Sequence, residues 1–324
     1  MKASCIAVID GGTTRTRVRV WDGRAIVWEA SRIAGARDVA LRGKDAVRQP
    51  LAGMLDDARR AHDCRDVVAY GMITSDNGLR EVPHLAAPAS FERLAGAIVA
   101  DDIPGLGPVH FIPGVKTTVS EPQVEDIGSL DVMRGEETEV FGLRAALGLT
   151  GRADFFHVGS HHKLIRTDER GIIGSCTALT GELLAALQRD TILAASMAPL
   201  EQLDQLDPSG EPDGDAWNAG RIVAQRQGFS RAAFCVRLLD QLLAKPPAYA
   251  SAFLLGAAAS LDLPLLLSST KLYLYGHRTI TGPLCRYLRS ERRMVDLVPP
   301  ERIAPAATAG AAALLRARLE LTAP

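Results

Sequence analysis

The sequence predicts an α/β protein built as two related halves, and three observations carry that prediction. The stretches VIDGGTTRTRVRVWDG (8–23) and HVGSHHKLIRTDERG (157–171) follow one plan. Each opens with an apolar run, passes a small glycine-containing turn with hydroxyl side chains, enters an alternating strand carrying basic residues and closes on a turn. Strand and helix patterns alternate after each copy, as they do in α/β folds. The chain has 324 residues, enough for two domains.

In order, SCIAVI (4–9) reads as a buried strand and RTRVRVW (15–21) as a half-buried one of period two. Asp22-Gly23 is a hairpin turn, and AIVWEA supplies a third strand. Residues 44–62 have helical spacing at Val47, Leu51, Met54, Leu55 and Ala58, and the strand DVVAYGMI follows. A helix is expected over 90–100, a strand entering a turn at VHFIPG, and a helix at RGEETEVFGLRAALG with apolar Val140, Leu143 and Leu147. After Gly151 the plan restarts with FFHV, KLIRT and GIIGSCT, then a helix ALTGELLAALQRD with Thr180 as its N-cap. Residues 199–215, acidic and bearing proline and glycine, read as a solvated loop. Helices fill 216–262 with a break at Lys245-Pro246-Pro247. LYLYG is a strand, TGPLCRYLRS a helix behind it, and TAGAAALLRARLE a C-terminal helix.

Composition removes several function classes. A 47% hydrophobic and 23% charged chain is ordinary for a packed soluble protein, and a net charge of −1 gives no electrostatic footprint for nucleic acid. Charges and prolines are expected to keep every apolar stretch short of a membrane span, so no membrane partner is expected. The start MKASCIAVIDGG enters a strand pattern without an h-region, so no signal peptide is read. Cys5, Cys64, Cys176, Cys235 and Cys285 are scattered singly, which suits a reducing cytoplasm and, for most of them, small buried hydrophobic roles.

No P-loop, Rossmann fingerprint, H-E-x-x-H or G-x-S-x-G is present. What stands out is Asp10-Gly11-Gly12-Thr13-Thr14 at the end of the first strand. Gly11 and Gly12 let the backbone approach an anion, and Thr13 and Thr14 can hydrogen-bond phosphate oxygens. Asp10 is the carboxylate that would suit Mg²⁺, directly or through water. The turn Gly159-Ser160-His161 repeats the feature, and two such turns at the heads of matching units can grip a polyphosphate from both sides.

That organisation resembles the actin, hexokinase and Hsp70 ATPase superfamily. The likeness is closer still to the 2-dehydro-3-deoxygalactonokinases, through DGGTTRTRVRVWDG, GMITSDNGLREVPHLAAPAS (71–90), VMRGEETEVFG (132–142), GSHHKL (159–164) and TALTGEL (177–183). The resemblance implies an α/β fold of two ribonuclease H-like domains with an interdomain nucleotide cleft that closes on ligand binding. It implies ATP and Mg²⁺, and phosphorylation of a small-molecule substrate, 2-dehydro-3-deoxy-galactonate, at its terminal 6-hydroxyl in the cytoplasm. Domain boundaries are expected at 1–150 and 151–304, with a C-terminal helix over 305–324 packing back on the first domain. The sequence departs from relatives at Val158 and Leu164, where a proline and an aromatic are usual. A homodimer is compatible with the sequence. Rival readings are a kinase of another keto- or deoxy-sugar acid, a phosphohydrolase of the same superfamily, and a non-catalytic nucleotide-binding regulator.

Roles follow residue by residue. Glu136 is expected as the general base, since phosphoryl transfer needs a carboxylate to orient the attacking hydroxyl; acids also favour a helix first turn for purely structural reasons. Arg17 matches a family arginine, Lys163 follows the second turn directly, and His161 orients the loop. Adjacent His161 and His162 on an extended segment face opposite sides, so they do not chelate together. Gly276 opens the turn (276–282) where this superfamily receives adenosine. The sugar acid is expected near 72–80, 134–137 and 177–182, with Met72, Ser75, Arg134, Glu137, Thr180 and Glu182 as its contacts.

Overall fold

The computed structural model describes residues 5–199 and 214–322. The first element is β1 (Cys5–Gly11), whose buried residues run consecutively from Ile6 to Ile9. Such a run belongs to a strand covered on both faces, and β1 is indeed internal to its sheet. Antiparallel β2 (Thr16–Trp21) and β3 (Ile26–Arg32) follow as hairpin-connected neighbours. Helices α1 (Ala36–Arg42) and α2 (Asp45–Ala61) come next. The five apolar positions of α2 read from the sequence are its five buried residues. Leu51, Met54, Leu55 and Ala58 pack with Ile9, Val18, Val20, Val67, Ala69 and Phe111 into one core, roughly 1.5–3 kcal/mol for each large side chain buried, while Val47 packs with Ala34 and Val39.

Strand β4 (Cys64–Gly71) lies parallel to β1, with Asp10 opposite Tyr70 and Gly11 opposite Gly71. Then come β5 (Leu85–Ala86), α3 (Phe91–Gly96), β6 (Val99–Ile103), β7 (Gly107–Phe111), β8 (Val115–Thr117), β9 (Asp131–Met133) and α4 (Glu136–Ala146). The expected helix over 90–100 therefore ends at Gly96, and Val99 and Ala100 already belong to β6, antiparallel to β7. The two states compete in LAGAIVA, and sheet pairing wins beyond Ala97. Strand β7 stops at Phe111, leaving Pro113-Gly114 to the turn expected there.

The second half supplies β10 (Ala153–Val158), β11 (His162–Asp168), β12 (Gly171–Ala178), α5 (Thr180–Asp190), α6 (Gly214–Gln227), α7 (Phe229–Leu243), α8 (Pro247–Asp262), β13 (Leu272–Gly276), α9 (Arg278–Ser290), β14 (Val295–Leu297) and α10 (Pro300–Leu321). Most of the acidic loop expected at 199–215 lies outside the described residues; its last two members, Gly214 and Asp215, open α6. Thr180 is the first helical residue of α5, not its N-cap: Leu179 holds that place, without a side-chain cap.

The sheets repeat one order. The first runs β3-β2-β1-β4-β7-β6 and the second β12-β11-β10-β13-β14, so each has a hairpin-connected triplet followed by crossover strands. In both, the strand beside the triplet pairs parallel with its first member. It also ends on a glycine of positive φ, Gly71 (+85°) and Gly276 (+112°). A methyl group on Gly71 would stand 2.6 Å from the Gly11 carbonyl oxygen, and one on Gly276 would collide with the carbonyl of Val158. A small third sheet, β5-β8-β9, completes the strands.

The chain divides into two compact units. Unit 1 comprises residues 1–152, 166–175 and 301–324; unit 2 comprises 153–165 and 176–300. Within unit 1, α10 packs on α4 so closely that a methyl on Gly142 would collide with the Ala306 carbonyl. Unit 2 has a core of Phe156, Leu164, Leu274, Leu284 and Leu288 under its sheet and a second among its helices around Trp217, Phe253 and Leu255.

Two compositional expectations need correction. Pro247–Leu266 is long and apolar enough to cross a membrane, with 67% of its apolar window buried inside the protein. It packs as a core helix because its apolar residues are spread all round the axis. All five cysteines are free, but only Cys64 and Cys285 are buried, burial pushing the Cys64 thiol up to about 11.

Candidate active site

The carboxyl ends of β1 and β4 in unit 1 bring together most of the chemistry expected from the sequence. Strand ends of this kind are where open α/β sheets bind ligands. Asp10 lies at the end of β1, and its Oδ2 accepts from Arg19 Nη1 at 3.2 Å and, at 3.5 Å, from Arg17 Nη1. Arg19, half of that anchor, has a side chain only 6% exposed and also reaches Glu29 at 3.4 Å. Burial works against its charge, but Tyr70, Asp10 and Glu29 outweigh burial and raise its pKa. Sequence alternation places Arg17 and Arg19 on one face of β2. The signal that could have singled out Arg19 is its distance from the turn, deep enough in the strand to be covered.

In the turn itself Gly12 N–H donates to the Arg15 carbonyl at 2.9 Å, so it is spent within the turn rather than offered to an anion. Carbonyls of Gly12 and Thr13 accept from Ala36 and Arg37, which leaves exposed Thr13 and Thr14 as the groups facing solvent. Gly11 is required by packing: a methyl there would stand 2.5 Å from Ile73 Cβ.

Across from β1, Tyr70 at the end of β4 is fully buried. Burial raises its pKa well above the usual phenol value, and the charges of Asp10 and Glu139 add to the effect. Gly71 leads into a 3₁₀ turn (Met72–Thr74), and Gly135, the N-cap of α4, packs against it: a methyl on Gly135 would stand 3.4 Å from the Gly71 Cα. The acidic start of α4 is thereby set beside the ends of β1 and β4.

The two neighbouring glutamates separate in role. Glu137 is fully buried and folds back on its own helix, both carboxylate oxygens accepting from the Gly135 N–H at 2.9 and 2.8 Å. It is a helix-start carboxylate, which corrects the expectation that it contacts substrate. Glu136 precedes it and is half-buried at the strand ends.

Arg134 donates to Thr74 Oγ1 at 2.9 Å and to the Val82 carbonyl at 2.7 Å, tying β9 to the 3₁₀ turn. Burial lowers its pKa, against the charges of Glu137, Glu81 and Asp76. Ser75 is only 5% exposed and spends its hydroxyl on the Met72 carbonyl at 2.7 Å, so it shapes the turn rather than reaching a solute. Met72 is half-exposed at the turn's start.

Unit 2 holds its own cavity of about 380 Å³, lined by Gly159 and Ser160 of the second turn, Gly181, Glu182 and Gln188 of α5, and His277 at the start of α9, among others. Glu182 lies in this wall, 3.3 Å from His161 Nε2. Gly276 serves the strand end described above. Lys163 is buried within β11, so its side chain is not displayed on the turn. Thr180 is 3% exposed and gives its hydroxyl to Asp262 Oδ1 at 2.7 Å, which removes it from the substrate contacts. His161 and His162 do face opposite ways: His162 is buried and bonds Asp262 Oδ2 at 2.7 Å. Asp262 was not anticipated, although a lone carboxylate closing the apolar run AFLLGAAASLD is a readable signal.

The family model of the 2-keto-3-deoxy-galactonokinases matches residues 10–312. The chain belongs to this family. The 2-dehydro-3-deoxygalactonokinase of Escherichia coli strain K12 is 30% identical over 203 residues, and the chain spans 62% of the length of that curated relative. The solved structure of a provisionally assigned 2-dehydro-3-deoxygalactonokinase from Sinorhizobium meliloti superposes with a TM-score of 0.75 at 24% identity, covering 96% of each chain. Component A of the (R)-2-hydroxyglutaryl-CoA dehydratase of Acidaminococcus fermentans shares the fold at a TM-score of 0.50 and 11% identity, over 99% of this chain and 100% of that one. The architecture is that of the actin/hexokinase/Hsp70 ATPase class.

Proposed function

We propose that the protein is an ATP-dependent sugar-acid kinase that phosphorylates 2-dehydro-3-deoxy-galactonate at its 6-hydroxyl. The observation that carries this reading is the family match over residues 10–312, within which Asp10 lies beside Tyr70 on the paired strands β1 and β4 and Gly135, at the start of α4, packs on Gly71 at the end of β4.

Exposed Thr13 and Thr14 supply hydroxyl donors to phosphate oxygens. The unit 2 cavity takes the adenosine, its apolar wall of Leu184, Ala185, Leu255 and Ile280 suiting a flat base. Among the described residues no cluster of three or more His, Cys, Asp or Glu could cage a metal. A lone carboxylate suits Mg²⁺, which keeps several waters and takes its other ligands from phosphates. Both guanidinium contacts of Asp10 fall on Oδ2, so Oδ1 is the oxygen that would hold Mg²⁺ or its water. When bound, the ion neutralises charge on the transferring phosphoryl group.

Glu136 accepts the proton of the sugar's 6-hydroxyl. The hydroxyl oxygen bonds to the γ-phosphorus as the bond from that phosphorus to the β,γ-bridging oxygen breaks, and ADP leaves with the electron pair. Arg134, a desolvated cation braced by Thr74 and Val82, pairs with the acid's carboxylate. The test is an ADP-release screen of six-carbon 2-keto-3-deoxy acids, with the galactonate- and gluconate-derived epimers side by side. The reading expects turnover only with an acceptor present, and most with the galactonate form. ATP turnover indifferent to any acceptor would make the protein a phosphohydrolase.

A further inference from the structure

Beneath the second turn lies a buried polar group that the phosphoryl-transfer chemistry does not use. His162, Asp262 and Thr180 are 1%, 1% and 3% exposed. Asp262 Oδ2 accepts from His162 Nδ1 and its Oδ1 from the Thr180 hydroxyl, both at 2.7 Å. A carboxylate sealed from water is costly unless its lone pairs are met, and here each oxygen has a donor. The His162 Nε2 is buried with no hydrogen-bond partner among the described residues, so Asp262 is the polar anchor of that ring. The three residues lie 100 and 82 positions apart in the chain.

What they anchor is the cavity wall. His162 opens β11, two residues after Ser160 in the turn. Thr180 opens α5, and the next residue, Gly181, packs so tightly on the turn that a methyl there would collide with the carbonyls of Gly159 and Ser160. Gly159, Ser160, Gly181 and Glu182 all line the cavity. One carboxylate at the end of α8 therefore fixes both the strand leaving the turn and the helix packed against it.

We propose that Asp262 is a positioning residue for nucleotide binding, holding the turn at 159–161 and the start of α5 in register through His162 and Thr180. This rests on the reading of the unit 2 cavity as the nucleotide site. Small displacements of binding groups propagate into large losses, and removing one partner leaves buried donors unmet.

The test is an equilibrium titration with ADP, with melting curves and both Michaelis constants, on wild type, Asp262→Ala, Thr180→Val and Thr180→Ser. ADP affinity should fall about tenfold in Asp262→Ala and about threefold in Thr180→Val. Thr180→Ser, which keeps the hydroxyl, should recover most of the loss seen in Thr180→Val. The KM for the sugar acid should stay within about twofold of wild type, a split that general loosening would not produce. Thr180→Val preserves side-chain shape and decides the matter if Asp262→Ala does not fold. Folded variants that bind ADP as wild type does, or that raise both Michaelis constants equally, overturn the proposal. A wild type that binds no ADP overturns the cavity reading and the proposal with it.

Discussion

The first turn and its strand triplet carry their carboxylate in the open, whereas the second copy draws one in from a distant helix and seals it. Asp10 stands on β1 itself with a side chain 21% exposed, braced on one oxygen by Arg17 and Arg19. In the second copy β10 ends on Val158, and the buried carboxylate tied to the strand after the turn is Asp262, met by a histidine and a threonine instead of arginines. A charge-assisted bond to a permanently cationic guanidinium keeps a partly exposed carboxylate aimed. A fully buried carboxylate with neutral-capable donors serves the backbone around it. The same fold unit has thus been equipped twice, once with a partly exposed carboxylate braced by guanidinium groups and once with a sealed one.

The largest effect expected is at the start of α4. Glu136→Gln should lower kcat by on the order of 10²- to 10⁴-fold, the range for loss of a general base. ADP affinity should hold, since the proposed nucleotide contacts do not include Glu136. A rise in sugar-acid KM with kcat intact would make Glu136 a binding residue and take the chemistry away from the first copy. Its neighbour sharpens the contrast. Glu137→Gln keeps one acceptor for the Gly135 N–H but loses a buried charge-assisted contact, so stability should drop by about 1–3 kcal/mol, read as a lower denaturant midpoint. Should Glu137→Gln instead keep full stability and lose turnover, the two glutamates have been assigned the wrong way round.

The glycines at the two equivalent strand ends test whether the copies are matched in backbone as well as order. Gly71→Ala and Gly276→Ala each force an alanine into positive φ and against a carbonyl, at a cost of about 2 kcal/mol or more. Paired losses in chemical denaturation are expected. A neutral Gly276→Ala would show that only the first copy needs this closure.

Local pattern was legible wherever one face of one element decided the outcome. The apolar run of β1, the alternation of β2 and the five positions of α2 are such cases, and the repeated turn foretold the shared strand order. What escaped depends on groups distant in sequence. Asp262 meets His162 across 100 residues, and Thr180 looked like a cap because a hydroxyl before a helix often is one. Ser75 and Glu137 looked like ligands for the same reason: short polar side chains serve the local backbone and solutes equally well, and only burial separates the two uses. Arg19 escaped because alternation assigns a face, not how deeply that face is covered.

The most direct measurement is to determine ADP affinity and kcat together for Asp10→Asn and Asp262→Ala. The account predicts that Asp10→Asn binds ADP within about threefold of wild type in the absence of Mg²⁺, yet turns over on the order of 10³-fold more slowly. Asp262→Ala should show the reverse weighting, with ADP affinity down about tenfold and kcat at saturating ATP reduced less than that. Matching losses in both quantities for both variants, or a catalytically competent Asp10→Asn, would contradict it.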